Sequence, residues 1–528
     1  MIKKTSFKIS ILVVVILFFS VNGSVAQNQK KPNVLLIMLD DLNDYVGFLD
    51  GHPQAQTPNM DALAKESVIF TNAHTNAPIC APSRSSMLTG IYPHKSKNFW
   101  FSKWTQNDIL KNSKTLMQFM SDNGYQTFGT GKLMHDRVKS EWNEYGIEND
   151  FGPYAFDGKK AARHPSVPKE YYQNKNDGLF SSLADVPNVP ASKNTNGYNG
   201  WYDIKNRKPF NYVNDENRDL LNDEKSANWA VSKITELENK KNSKPFFLAV
   251  GFVRPHTPLV APQKYFDKYP LETLKLPILK ENDIEDTYYR STFKWTPAWA
   301  KHYEELKASY TNFDDGLRAY LQAYLACISF ADDQVGKVIT ALKSSTLNDN
   351  TIVILVSDHG YNQGEKEFIY KNNLWEETTR IPMLIRSPKF KNNAGKKVNE
   401  PVSLIDIYPT IADLCNIEAS NIKNENGALL SGFSMKPFLE DPENGKWNGP
   451  NVALTVVRGN FKSNEPNEQS YSVRSKNYRY IRYVNGKEEL YDHTNDSYEW
   501  SNLAYNPKFK RVKKQLENQL DKLLKQTN

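Results

Sequence analysis

Val34-Leu35-Leu36-Ile37-Met38-Leu39 contains no polar residue and is closed by Asp40-Asp41. A strand with one wet face alternates apolar and polar residues, whereas a strand covered on both faces does not. The run therefore predicts a buried parallel strand with two carboxylates at its C-terminal end, the edge where open α/β sheets bind ligands. A second apolar run, 351–356, is closed by Ser357-Asp358-His359-Gly360, and a third, 245–250, leads into Gly251-Phe252-Val253-Arg254-Pro255-His256. Between them, segments 59–67, 116–123, 224–239 and 317–342 carry apolar residues at helical spacing. Strands alternating with helices predict an α/β fold with a large, mostly parallel sheet flanked by helices.

With 528 residues the chain exceeds the usual single domain, so one large unit and a smaller one are expected. Residues 150–223 are rich in Asn, Lys, Pro and Tyr without apolar periodicity, as expected of long loops or an insertion shaping a cleft. Beyond residue 451, short strands at 452–457, 471–474, 478–484 and 489–491 and a helix at 508–524 predict a small antiparallel sheet with one helix. The expected division is a catalytic unit at 27–445 and an α+β subdomain at 446–528.

The N-terminus places Lys3 and Lys4 before an apolar run at 9–19 and the small-residue site Ser24-Val25-Ala26, the pattern of a signal peptide cleaved after Ala26. That run is short for a bilayer span and no Cys adjoins the site, so a secreted or periplasmic protein without stable membrane insertion is expected. Only Cys80, Cys327 and Cys415 occur, which excludes a disulfide scaffold and allows one bridge at most if Cys80 has another task. The net charge of +7 suits an anionic substrate without establishing one, and no nucleic acid partner is expected.

The most specific local signal is Cys80-Ala81-Pro82-Ser83-Arg84, followed by Ser85-Ser86-Met87-Leu88-Thr89-Gly90. Pro82 fits the first turn of a helix and Gly90 its end. Cys80 would then stand at a helix N-terminus, which favours an anion, with Arg84 one turn on and able to face back toward it. A buried thiol is the ordinary fate of a cysteine, and acids at strand ends commonly cap turns. Nevertheless, CAPSRSSMLTG resembles the signature of the type I sulfatases of the alkaline phosphatase superfamily, in which Cys-x-Pro-x-Arg directs oxidation of the Cys to formylglycine.

Further motifs follow in the family's order: Gly131-Lys132-Leu133-Met134-His135, Arg254-Pro255-His256-Thr257-Pro258-Leu259, and Ser357-Asp358-His359-Gly360 continuing to Lys371 and Thr379-Arg380-Ile381-Pro382. His359 after Asp358, the Lys132-x-x-His135 spacing and Pro255-His256 are similar to iduronate-2-sulfatase-like members, and secreted bacterial enzymes for algal glycans such as ulvan, carrageenan or fucoidan share that pattern. The resemblance implies that Asp40, Asp41, Asp358 and His359, with the modified Cys80, bind calcium. Hard oxygen donors suit that ion, although an imidazole is a less usual partner for it.

The same resemblance implies a sulfuric ester hydrolase acting on a sulfated polysaccharide or its oligosaccharides. Hydrated formylglycine at position 80 would be the nucleophile, and Arg84, Lys132 and calcium would balance the sulfuryl oxygens. His256 and Lys371 would serve the leaving sugar oxygen, with the division between them open, and His135 would be the base of a second step. A formylglycine-generating or anaerobic sulfatase-maturating enzyme is the implied partner. The alternatives are a formylglycine-dependent phosphodiesterase or phosphonate monoester hydrolase, and a catalytically silent glycan-binding relative. Asn98-Phe99-Trp100-Phe101 reads either as core or as a sugar platform. Residues 124–132 lack the Gly-Lys-Ser/Thr ending of a phosphate loop, and no Gly-x-Ser-x-Gly elbow is present.

Overall fold

The computed structural model describes residues 30–136, 138–171, 178–240 and 244–525, so the leader expected at 1–26 lies outside the described residues. The main sheet comprises β1 (Asn33–Asp40), β2 (Val68–Phe70), β3 (Gln126–Gly131), β4 (Glu144–Glu148), β5 (Phe246–Pro255), β6 (Thr351–Ser357), β7 (Met383–Arg386) and β8 (Lys397–Val398). Their spatial order is β8-β2-β7-β6-β1-β5-β3-β4. The block from β6 through β1, β5 and β3 to β4 is parallel, while β7 runs antiparallel to both β6 and β2.

The alternation of side chains along β1 explains its unbroken apolar sequence. Leu35, Ile37 and Leu39 enter one core, while Val34, Leu36 and Met38 enter another on the opposite face. The first core is closed by α1 (Pro58–Ala64), and the second by α2 (Cys80–Thr89) and α3 (Leu116–Asp122). Next along the chain, α4 (Asn222–Asn239) and α5 (Phe313–Lys343) join the first core. After the short α6 (Glu376–Thr379), α7 (Ile407–Leu414) joins the second. Each fully buried Leu, Ile or Val contributes roughly 1.5–3 kcal/mol, and a strand covered on both faces collects this from every residue. Cys327 lies in one core and Cys415 in the other; both, like Cys80, are free thiols.

Two features of the sheet depart from the sequence-based expectations. β3 was not anticipated, because its sequence QTFGTG is polar. Its buried Thr127 and Thr130 are satisfied locally, by Asn143 Oδ1 at 3.2 Å and by the Ile147 N–H at 3.1 Å. β5 runs to Pro255 rather than stopping at Val250, which carries His256 to the edge where β1 ends. Close contact between β5 and the turn after β3 requires Gly251, where a Cβ would stand 2.0 Å from the Lys132 carbonyl oxygen. The stretch expected to be loops, 150–223, contains short paired strands such as Trp201–Asp203 with Lys208–Phe210.

The C-terminal region forms an antiparallel sheet in chain order, β9 (Ala453–Val457), β10 (Ser470–Arg474), β11 (Tyr478–Arg482) and β12 (Glu488–Asp492). Helix α8 (Lys510–Lys525) covers it with Leu516, Leu520 and Leu523. A buried ion network ties this sheet to α6. Arg474 Nε lies 3.1 Å from Glu376 Oε2, Arg479 bridges Glu376 and Glu499, and the Glu376 N–H donates to Glu499 Oε2 at 3.0 Å. Trp375 Nε1 donates to Glu489 Oε2 at 2.9 Å. The small sheet therefore braces the segment that carries Lys371.

Candidate active site

β1 and β6 are adjacent and in register, with Leu39 opposite Ser357, so their terminal acids emerge side by side. Asp41 adopts a left-handed backbone conformation (φ 66°), which Asp tolerates better than most residues, and its N–H donates to Asp358 Oδ1 at 3.2 Å. Facing this edge, α2 begins at Cys80 with an extended Ile79 before it and ends at Gly90, whose φ of 69° closes the last turn. Ser83 anchors the helix by donating to the Asp358 carbonyl at 2.6 Å. Cys80 Sγ is thereby held 3.2 Å from Lys371 Nζ and 3.4 Å from His359 Nε2.

Arg84 is fully buried and turned onto the carboxylates. Its Nε lies 2.8 Å from Asp358 Oδ2 and its Nη2 3.1 Å from Asp40 Oδ1, while Nη1 donates to the Lys132 and Leu133 carbonyls. The acids arriving from β1 and β6, which cluster with Cys80, thus become the direct partners of the guanidinium. Lys132, directly after β3, pairs with Asp40 and lies 4.8 Å above the Phe151 ring. Lys371 contacts both oxygens of Asp41, at 2.6 and 2.9 Å.

The two buried histidines have assignable tautomers, because a carbonyl oxygen only accepts. His359 Nδ1 donates to the Gly360 carbonyl at 3.1 Å, and His256 Nδ1 to that of Thr257 at 2.5 Å. His359 Nε2 therefore presents a lone pair to Asp41 Oδ1 at 3.5 Å and Asp358 Oδ2 at 3.6 Å, and His256 Nε2 one to Asp41 Oδ2 at 4.0 Å. Burial, with Lys371 nearby, holds both imidazoles well below their usual pKa, so they are neutral. His135 is an exposed residue whose ring lies 5.0 Å from that of Phe101. Partial removal from bulk water, together with Lys132 and Arg84, lowers its pKa to about 4.

Carboxylates and inward-facing histidine nitrogens that converge in this way could hold a cation. Asp40, Cys80, Asp358 and His359 offer ligand atoms within 4.8 Å of one another. A ring N–H held by a backbone carbonyl, with the other nitrogen turned inward, is the usual arrangement of a metal-binding histidine. Charge tells the same story. Burial raises Asp41 to about 6 and Asp358 to about 7 despite Lys371 and Arg84, so the existing cations leave these carboxylates undercompensated. Asp40 is held well below the usual range, because the cationic Lys132, Arg84 and Lys371 outweigh its burial. Three carboxylates and one imidazole fit a hard divalent ion such as calcium.

Cys80 itself is a poor nucleophile. Burial and the neighbouring Asp40 push its thiol up to about 12 against the pull of Lys132 and Lys371, whereas reactive cysteines have lowered values.

Several supporting residues were not singled out from sequence. Phe151 packs against both Lys132 and the His256 ring, the latter at 4.9 Å, from a segment that reads only as loop. Arg254 has no role that its motif alone reveals. It binds the carbonyls of Val260, His256 and Phe151, and Asp223 accepts the Val253 and Arg254 N–H groups at 2.8 and 2.9 Å. Together they fix the loop that bears His256.

Buried cationic groups, paired acids and two neutral histidines therefore converge at the carboxyl edge of an α/β sheet, the edge where such folds bind ligands. The chain belongs to the sulfatase family, the sulfuric ester hydrolases of the alkaline phosphatase superfamily: the sulfatase profile matches residues 32–417. A second profile, the C-terminal region of N-sulphoglucosamine sulphohydrolase, matches residues 364–526. A sulfatase of Formosa agariphila is 33% identical over 491 residues, covering 91% of this chain and 84% of the relative. An ulvan-active sulfatase of the same organism is 29% identical over 94% of this chain and 81% of its own. The iduronate 2-sulfatase of Mus musculus is 27% identical over 86% and 84%. Among solved structures, the phosphonate monoester hydrolase of Agrobacterium radiobacter shares the fold, with a TM-score of 0.66 at 21% identity over 93% of this chain and 95% of that one.

Proposed function

We propose that the protein is an exported, calcium-dependent sulfatase that removes sulfate from an anionic polysaccharide or its oligosaccharides, with residue 80 working as formylglycine. The observation that carries this reading is Cys80 Sγ placed 3.2 Å from Lys371 and 3.4 Å from His359, beside three buried carboxylates, as a thiol too weakly acidic to act unmodified. Oxidised and hydrated, that side chain supplies a hydroxyl nucleophile. Asp40, Asp41, Asp358 and His359 would hold calcium, which when bound supplies Lewis acidity and positive charge beside position 80.

The chain's own groups would divide the remaining work. Lys132 and Lys371 bring positive charge to the recess that receives the sulfuryl oxygens. Arg84 holds Asp40 and Asp358 in place. His256, with Nδ1–H committed to the Thr257 carbonyl, directs Nε2 into the recess, where it and Lys371 serve the leaving oxygen. His135, neutral near pH 7, accepts a proton in the second half of the reaction. Residues 27–445 would form the catalytic unit and 446–528 the subdomain that braces the Lys371 segment.

The ulvan-active and iduronate-directed relatives support a sulfated glycan as substrate. Export rests on the N-terminal leader pattern, and among the described residues no helix is long and apolar enough to cross a membrane. Oxidation of Cys80 calls for a maturation partner.

A phosphonate monoester hydrolase shares the fold, so comparing kcat/KM for an aryl sulfate and an aryl phosphate diester is the direct test. The sulfate ester should be the better substrate; the reverse order would move the chain to the phosphonate side. Chelation should lower sulfate release by at least about tenfold, and calcium should restore it better than zinc, as expected for an oxygen-rich donor set. Full activity in demonstrably metal-free enzyme would remove the ion from the account.

A further inference from the structure

Beside His135 lies an aromatic cluster that the chemistry above does not use. Phe99 is core, 3% exposed, but the chain then turns outward: Trp100 is half-buried and Phe101 is 45% exposed. Trp100 meets Phe101 edge-on at 5.2 Å, Phe461 edge-on at 5.0 Å and Trp299 at 5.5 Å. Phe461 is 39% exposed. Trp100, Phe101 and Phe461 belong to none of the buried cores, and only Trp299 packs against one. Three distant segments thus place rings against one another at the surface, where large apolar groups bring little folding benefit and commonly mark a binding surface.

The cluster reaches His135, the proposed base of the second step. Phe101 packs 5.0 Å from the His135 ring, whose acidity is set partly by Lys132 and Arg84. On its far side the Arg458 guanidinium lies 5.3 Å over the Phe461 ring and donates to the Phe461 carbonyl at 3.0 Å; Lys462 beside it is exposed, and Glu465 on the same loop pairs with Lys97. Gln469 fixes the loop bearing Phe461, donating to the Ser463 and Glu465 carbonyls at 3.2 and 2.9 Å and accepting the Gly459 N–H at 2.9 Å. A preorganised loop loses little entropy when it binds a ligand.

We propose that Trp100, Phe101 and Phe461 form a stacking subsite for a sugar ring adjoining the sulfated sugar, so that the preferred substrate is an oligosaccharide rather than a single sulfated sugar. The inference rests on the glycan sulfatase reading above. The apolar C–H face of a pyranose fits an aromatic ring, and Arg458 offers charge to any further sulfate or carboxylate on the chain. The C-terminal subdomain, through Phe461, thereby takes part in choosing the substrate.

The test compares sulfated tetrasaccharides from ulvan, carrageenan and heparan sulfate with a small aryl sulfate, in the mature enzyme and in Phe461→Ala. Trp100→Phe serves as a second variant that keeps a ring at the centre of the cluster. For the tetrasaccharide turned over fastest, the ratio of its kcat/KM to that of the aryl sulfate should fall about tenfold in Phe461→Ala, mainly through KM, and less in Trp100→Phe. An unchanged ratio with tetrasaccharide turnover intact overturns the subsite alone. Aryl sulfate hydrolysis with no tetrasaccharide turned over overturns the glycan reading and the subsite with it. A dimer that dissociates on Phe461→Ala, with the ratio unchanged, makes the patch a self-interface instead.

Discussion

Cys80→Ser should release at most about one equivalent of leaving alcohol per enzyme and then stop, with steady-state turnover reduced by at least about a thousandfold, ~4 kcal/mol in barrier terms. Serine places one hydroxyl at the N-terminus of α2, in the same contact with Lys371 and His359, so the first half of the reaction remains available. It has no geminal hydroxyl from which His135 could take a proton, so the sulfuryl group stays attached. Measuring the burst and the steady state on one aryl sulfate separates the two halves. Sustained multiple turnover by this variant would show that residue 80 needs no second hydroxyl.

Arg84→Met should damage both stability and activity. Arg84 is the shared partner of Asp40 and Asp358, and all three side chains are essentially inaccessible to water. Removing one partner of a buried ion pair typically costs about 3–5 kcal/mol, because a charge is left uncompensated. Asp358 already sits near pH 7 with Arg84 present, so losing the guanidinium should favour its protonated form still more. Chemical denaturation without added metal should show the full loss. Calcium should restore part of it, because an ion that binds only the folded state stabilises that state. Activity should fall by at least about a hundredfold even in calcium, the scale of losing one preorganised charged donor. Near-native stability in the absence of metal would mean that Arg84 is not what holds the acids together.

The parts of the fold legible from sequence are those where burial is two-sided. β1 and β6 announce themselves because both faces are covered and no polar residue interrupts them. β3 is hidden by its own chemistry: Thr127 and Thr130 satisfy their hydroxyls with Asn143 and the Ile147 N–H, contacts that exist only after folding. The end of β5 is hidden because Arg254 and Pro255 do not look like strand residues, and they remain in the sheet because Asp223 and the close approach at Gly251 hold them there.

The candidate site shows the same division. Cys80, Asp40, Asp41, Asp358 and His359 can be picked out by local pattern together with family resemblance, and the structure brings them together with Lys132, Lys371, Arg84 and His256. A one-turn offset places Arg84 on the Cys80 side of α2 but says nothing of its partners, the acids arriving from two strands. Phe151 gave no signal because a single Phe in a polar stretch has no periodicity to reveal it. In the Asn98–Phe101 stretch Phe99 is core, while Trp100 and Phe101 lie outside it, as the surface rings of the proposed sugar subsite.

The central claim is that residue 80 works as an oxidised side chain. Mass spectrometry of the peptide containing residues 80–84, from active enzyme purified from its native host, tests it most directly. The account predicts an aldehyde in place of the Cys80 thiol, in a fraction that tracks specific activity across preparations; an intact thiol throughout a fully active sample would contradict it.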